Sequence, residues 1–512
     1  MSQLAPPSAA GRQQSTPHDR RWLVLTFLGL AQLMVILDAT IVNIALPSAQ
    51  RDLGFSNADR QWVVTAYSLA FGGLLLLGGR LADLFGRRRM LLTGLVGFAA
   101  ASALGGAATG FGTLIAARAV QGAFGAILAP AALSLLTLTF TDPKERGKAF
   151  GIFGAIAGAG AAIGLLLGGL LTEYLSWRWC LYVNVPIAVL AFIGAILFIP
   201  KVAPAKGVRL DIPGVLLAGL GLAGLVYAFA RAETDGWGDA VTIGLIAGSV
   251  LLLVGFVVVQ RTVASPLLPL RVVLDRRRGG AYVAITLAAI GSFAVFLFLT
   301  YYLQQTKGFS PLMSGVGFLP FVAGILTSST LVVPRLLPRV GPRPLLITGQ
   351  LFGAAGLLIL WRLQVDSGYL PHVLPGLYVM GAGMGLIFAS CFNTATSGTQ
   401  QSDAGVASAL VNTGQQVGGA LGTALLNTIA ATVATSYVAS HQPTTPTSVA
   451  AAAVAGDTRA FLVSAGIFLV AALISAVVLP AGPNPSGGPP AAGAQAPGPA
   501  EAEIVETAGT AA

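Results

Sequence analysis

LDATIVNIALP, residues 37–47, sets one carboxylate, Asp38, deep inside a long apolar run that begins at Trp22. An isolated charge at bilayer depth costs a few kcal/mol or more unless it is paired, hydrated or neutralised by a proton, so a chain keeps one there for a purpose. That reading requires a membrane around residue 38, and the flanking sequence supplies one.

Of the 512 residues, 55% are hydrophobic and only 9% are charged, against about 25% charged in soluble proteins. The fold class expected is an all-α membrane protein. At about 20 residues per span, apolar runs are expected from Trp22 and at 59–79, 88–108, 112–138, 147–172, 179–199, 212–231, 240–260, 280–304, 312–334, 343–363, 371–396, 404–436 and 459–480, about 14 transmembrane helices. The run after Trp22 is too long for the core of a cleaved signal. Polar, Pro-rich residues 1–21 and Pro/Gly/Ala-rich residues 481–512 read as disordered tails.

The net charge of +10 is that of loops beside a membrane, with no nucleic-acid motif to accompany it. Of 29 Lys and Arg, 21 fall in one set of alternate segments, 7 in the other, and Arg118 stays inside a helix. The positive-inside rule then places both termini in the cytoplasm of a multi-pass plasma-membrane protein. A faint repeat supports two halves. GGRLADLFGRRR, residues 78–89, and PRLLPRVGPRP, residues 334–344, each put glycine and arginines into a tight turn after the second helix of a half. The organisation expected is a six-helix half at 22–199, a linker with an inserted helix pair at 200–260, and a second six-helix half at 261–480. Repeated halves point to a transporter with its site at their interface.

Five segments carry a resemblance. GRLADLFGRRRML (79–91) resembles the loop motif of the major facilitator superfamily, and LDATIVNIALP resembles the first-helix motif of its drug:proton antiporters. LIAARAVQGAFGA (114–126) is similar to their fourth-helix R-x-x-Q-G motif. DAGVASALVNTGQQVGGALG (403–422) is similar to a segment of the fourteen-helix members. The fifth-helix antiporter signature aligns on Gly160, Gly164, Gly168 and Gly169, with Leu165 where the family has proline. The resemblance spans most of the membrane domain and implies the major facilitator fold with drug:proton antiport by alternating access. It also implies that Asp83 of the loop motif latches against the start of a second-half helix near Ala404, whose positive dipole end attracts it.

The residues support a site independently. Asp38 is the only acid, and Arg118 the only base, expected well within a span. Asp38 lies about 24 Å from one face and Arg118 about 21 Å from the same face, by helix rise alone. Burial pushes a carboxylate toward its neutral form, whereas a nearby arginine or cationic substrate holds it charged. That opposition is the basis of exchange between proton and substrate. The alternative is a fixed structural pair. Asn43, Tyr67, Gln121, Tyr301, Asn393, Asn412 and Gln415 are candidates to line a substrate cavity. Gly79, Asp83, Gly86, Arg87, Arg88, Arg89 and the four fifth-helix glycines are candidates for gating, with plain packing as the alternative for the glycines.

The function expected is proton-coupled efflux of small hydrophobic or cationic compounds such as antibiotics, dyes or biocides; uptake or uniport of a nutrient is the alternative. No catalytic cluster and no phosphate-binding loop points to an enzyme or an ATP-driven pump. Cys180 and Cys391 read as packing residues rather than as a disulfide or metal site. No cofactor or metal is expected, the partners being a small molecule, protons and the bilayer, with the chain acting as a monomer.

Overall fold

In lipid every backbone donor and acceptor must be satisfied within its own segment, so apolar runs of this length can only be helices. The computed structural model describes residues 18–482 apart from 57–58, 141, 201–210, 264–265, 269, 397–403 and 442–444; some side chains inside helices, that of Asp83 among them, also lie outside the described residues.

Fourteen membrane-length helical segments follow one another among the described residues. The first six are His18–Leu53, Arg60–Phe85, Arg87–Gly106, Phe111–Thr139, Pro143–Tyr174 and a sixth, Trp179–Phe198, interrupted at Val183. The seventh and eighth, Ile212–Asp235 and Ala240–Thr262, are the inserted pair. The last six are Arg276–Thr306, Pro311–Val340, Pro342–Leu360, a twelfth that starts as a wide π-turn at Tyr369–Val373 and continues as Leu374–Thr396, then Ala404–Ser440 and Pro446–Val478. Among the described residues twelve are long and apolar enough to cross a membrane; the second and the fifth, parts of which lie outside the described residues, complete the fourteen.

The first six helices pack among themselves, chiefly second on fourth, third on fourth and first on fifth. The last six do likewise, ninth on thirteenth, eleventh on twelfth and eleventh on fourteenth. Between the sets, the second helix packs on the thirteenth and the fifth on the tenth. The seventh and eighth pack on each other, and the seventh also rests on the thirteenth and second. Leu216, Leu220, Leu251, Val254 and Val258 of the pair are exposed, as lipid-facing residues should be. With an even number of crossings, His18 and Val478 share one end of the bundle, the terminal end; Leu53 and Arg60, which end the first helix and begin the second, lie at the other, the far end.

The repeat is visible in the backbone. Gly86, between the second and third helices, has φ 93°, and Gly341, between the tenth and eleventh, has φ 78°. Both turns need the left-handed region that glycine enters without a Cβ clash.

Two boundaries differ from expectation. The first helix reaches back to His18, so residues 18–21 are helical and only 1–17 of that tail lie outside the described residues. Residues 483–512 of the other expected tail lie outside the described residues. The fourteenth helix starts at Pro446, not near 459, because Thr445 and Ser448 form a reciprocal capping box ahead of an alanine-rich turn. That correction carries a second one: Asp457, expected in a loop, is a buried acid inside a helix, so Asp38 is not the only one.

Candidate functional site

Asp38 and Arg118 meet. Asp38 has no exposed surface and Arg118 is 2% exposed. Arg118 Nη1 donates to Asp38 Oδ2 at 2.7 Å. The other oxygen, Oδ1, accepts from Gln121 Nε2 at 2.7 Å and from Asn184 Nδ2 at 2.8 Å. Both amides also donate to Ser102 Oγ, at 2.6 and 2.9 Å. Arg118 also donates to Gln121 Oε1 at 2.7 Å and to the Val63 carbonyl of the second helix at 3.2 Å, and its guanidinium lies 4.3 Å over the Tyr67 ring. The carboxylate is thus held by donors from the fourth and sixth helices, whose amides Ser102 of the third helix steadies as a shared acceptor. A desolvated ion pair is tolerable only when its remaining valences are filled in this way.

Local structure explains the aim of each group. Arg118 and Gln121 stand three residues apart, hence on one face of the fourth helix. Asn184 opens the second piece of the sixth helix just after the break at Val183, which turns its amide inward. The first helix is brought close by the fifth. A Cβ built on Gly164 would lie 2.0 Å from Thr40 Oγ1 and 3.1 Å from the Leu37 carbonyl, and one on Gly168 would strike Ile41 at 2.9 Å. Gly160 faces Leu33 and Ile36 of the same helix. These three glycines therefore pack within the first half. Only Gly169 crosses to the other, a Cβ there lying 2.5 Å from Leu312 Cα of the tenth helix. Leu165, in the place of the family's proline, is fully buried, and its carbonyl touches the position of Gly315 in that helix.

The cavity candidates divide. Gln121 and Tyr67 belong to the Asp38 network, with the Tyr67 hydroxyl buried and lacking a partner. Asn43 donates to its own helix, to the Ala39 carbonyl at 3.0 Å. Tyr301 donates to Gln50 Oε1 across the two halves. Asn412 and Gln415 are half-buried on the thirteenth helix, where the neighbouring Gln416 and Val417 pack against Gly72 of the second. Asn393 is exposed near the terminal end of the twelfth helix. Among the loop residues, Arg88 donates to the carbonyls of Ala195 and Ile196, the second at 2.7 Å, and so ties the third helix to the end of the sixth. Arg87 is half-buried and Arg89 exposed. Gly79 has room, whereas Gly78 does not: a Cβ there would lie 2.0 Å from the Ala126 carbonyl oxygen. The Asp83 latch falls on a side chain outside the described residues.

Ser102 and Asn184, which complete the shell of Asp38, were not singled out from sequence. The one signal was a polar side chain inside an apolar helix, shared by many residues that merely bridge helices.

Comparison with known proteins agrees with this architecture. A puromycin resistance protein of Streptomyces alboniger is 52% identical over 465 residues, covering 90% of this chain and 92% of that one. A cephamycin export protein of Amycolatopsis lactamdurans is 42% identical, covering 84% and 88%. Among solved structures, an auto-inhibited POT family peptide transporter aligns with TM-score 0.64 over 89% of this chain and 96% of its own, at 15% identity, a likeness of fold. The Major Facilitator Superfamily model matches residues 28–423, and the chain belongs to that family.

Proposed function

We propose that this protein exports small antibiotic-type compounds across the plasma membrane in exchange for protons, with both termini in the cytoplasm, the far end facing outside, and one chain as the working unit. The relatives named for puromycin resistance and cephamycin export support the class of cargo. The observation that carries the coupling is the buried, hydrogen-bonded Asp38–Arg118 pair.

The network has a mechanical consequence. A proton on Asp38 removes the charge that Arg118 faces, and a hydrogen bond to a charged group contributes about 1.5–3 kcal/mol. Asn184 and Gln121 can still donate to the neutral acid, so the carboxyl stays in place while the guanidinium is loosened. Arg118 also holds the Val63 carbonyl of the second helix, and that helix packs on the thirteenth across the interface of the halves. Protonation therefore acts on a first-half helix that packs on the other half, which is what alternating access requires. The fifth helix follows the first because Gly160, Gly164 and Gly168 leave no slack between them.

The test is efflux of puromycin, a cephamycin and a cationic dye from pump-deficient cells making the wild type or Asp38→Asn, with and without a protonophore. Efflux that needs both the proton gradient and Asp38 is the expected result. Uphill export by Asp38→Asn at the wild-type rate would refute the coupling role.

A further inference from the structure

A second carboxylate is buried where the halves meet at the far end. Asp457 lies eleven residues into the fourteenth helix, about 16 Å along its axis. It is 7% exposed and, among the described residues, accepts no hydrogen bond and forms no ion pair. The cation within electrostatic range is Arg60, the first residue of the second helix. Arg60 sits 4.2 Å over the Tyr301 ring and donates to Asn427 Oδ1 at 3.5 Å, while its Nε is buried with no acceptor. So an anion short of donors and a cation with a donor to spare stand near each other without touching, one on each half.

The neighbours leave this pairing uncontested. The ninth helix brings Tyr302, whose hydroxyl donates to the Gln364 carbonyl at 2.8 Å, and ends at Lys307, whose Nζ donates to the Val365 carbonyl at 3.2 Å. The thirteenth brings the neutral Asn427. The eleventh has no charged residue beyond Arg343 at the terminal end. Asp366, in the loop after it, lies within range of Tyr302, and Arg459, two residues on from Asp457, is exposed. A buried carboxylate without donors is accommodated by binding a proton.

We propose that Asp457 is a second proton-binding residue of the transport cycle, presented to the outside and discharged by Arg60. When the halves part at the far end, Arg60 leaves with the second helix and the carboxylate takes a proton from outside water. When they close, the guanidinium returns and that proton passes to water between the halves. Two protons then cross per substrate, one by Asp38 and one by Asp457. This rests on the exporter reading above with the far end outside.

Isotope-edited infrared spectroscopy of the purified full-length chain in lipid nanodiscs, titrated with pH, needs no substrate. Wild type should show two protonated-carboxyl bands. Asp38→Asn should remove one and Asp457→Asn the other; Asp457→Glu should restore a band, which guards against misfolding of the amide variant. Arg60→Gln should move the titration of the Asp457 band alone. In proteoliposomes carrying puromycin, Asp457→Asn should halve the proton-to-substrate ratio. Band loss without transport of any compound would support the proton site while sinking the exporter reading. Proton-driven efflux with band and ratio unchanged in Asp457→Asn would overturn the second site and leave the exporter standing.

Discussion

A double-mutant cycle on Asp38 and Arg118 separates a working ion pair from a merely structural one. Arg118→Gln removes the bond to Asp38 Oδ2 and the cation over Tyr67, leaving a carboxylate with no exposed surface and only the two amide donors. Stranding one member of a buried pair costs about 3–5 kcal/mol. Asp38→Asn strands Arg118 instead, and its remaining acceptors, Gln121 Oε1 and the Val63 carbonyl, are neutral. The double variant Asp38→Asn/Arg118→Gln carries no buried charge, and replacing both partners of such a pair is often close to neutral. The two single losses should therefore fail to add, the double variant being more stable than either single variant by about the 3–5 kcal/mol that stranding one charge costs. Thermal unfolding of the four proteins in one lipid-like medium measures the stability side, and uphill efflux in proteoliposomes measures the coupling side. The expected outcome is a double variant nearly as stable as wild type that binds substrate yet cannot concentrate it. A stable double variant that still pumps against a gradient would reduce the pair to scaffolding. Additive stability losses would refute the energetic argument itself.

Gly164→Leu should separate the first and fifth helices, lowering stability by about 1–3 kcal/mol through overpacking, whereas Gly73→Ala, which meets nothing within 4 Å, should be neutral or slightly stabilising; paired melting curves decide between them. Gly86→Ala forces a Cβ into a turn at φ 93° and should cost about 1–2 kcal/mol, read as lower thermal stability, with Gly79→Ala as the unstrained control. Asp239 caps the eighth helix: the Thr242 backbone amide donates to it, and with the Thr242 hydroxyl and Arg231 holds its carboxyl below the usual carboxylate range. With the folded value depressed, its contribution is present above the ordinary value near ~3.9 and is lost as pH falls through the folded value. Amide exchange at Thr242 and Ile243 should rise in acid beyond its intrinsic pH trend, and Asp239→Asn, which still caps, should abolish that excess.

Much of the fold was legible because a bilayer reduces the choices. Long apolar runs had to be helices, their number followed from their length, and the placement of arginine around residues 80–89 and 335–343 set the alternation. Asp38 and Arg118 stood out by being charged where nothing else was, and helix rise alone put them at one depth. The misreadings share a cause. Asp457 falls in a loop when the last helix is started near 459, because a capping box such as Thr445–Ser448 is a local signal that hydropathy averages away. The fifth-helix glycines advertised close packing, but small residues at a spacing of four do not say which neighbour approaches. That neighbour is the first helix for three of them and the tenth for Gly169.

The sequence by itself determined the membrane class, the fourteen crossings, the paired halves and the identity of the buried ion pair, since each follows from composition, length or a charge out of place. Only the tertiary structure decided that Ser102 and Asn184 complete the network around Asp38, that Arg118 grips the second helix, and that Arg60 comes within electrostatic range of Asp457 without touching it. Those arrangements join residues more than fifty positions apart, and their geometry is set by how helices cross, which no local pattern in the chain encodes.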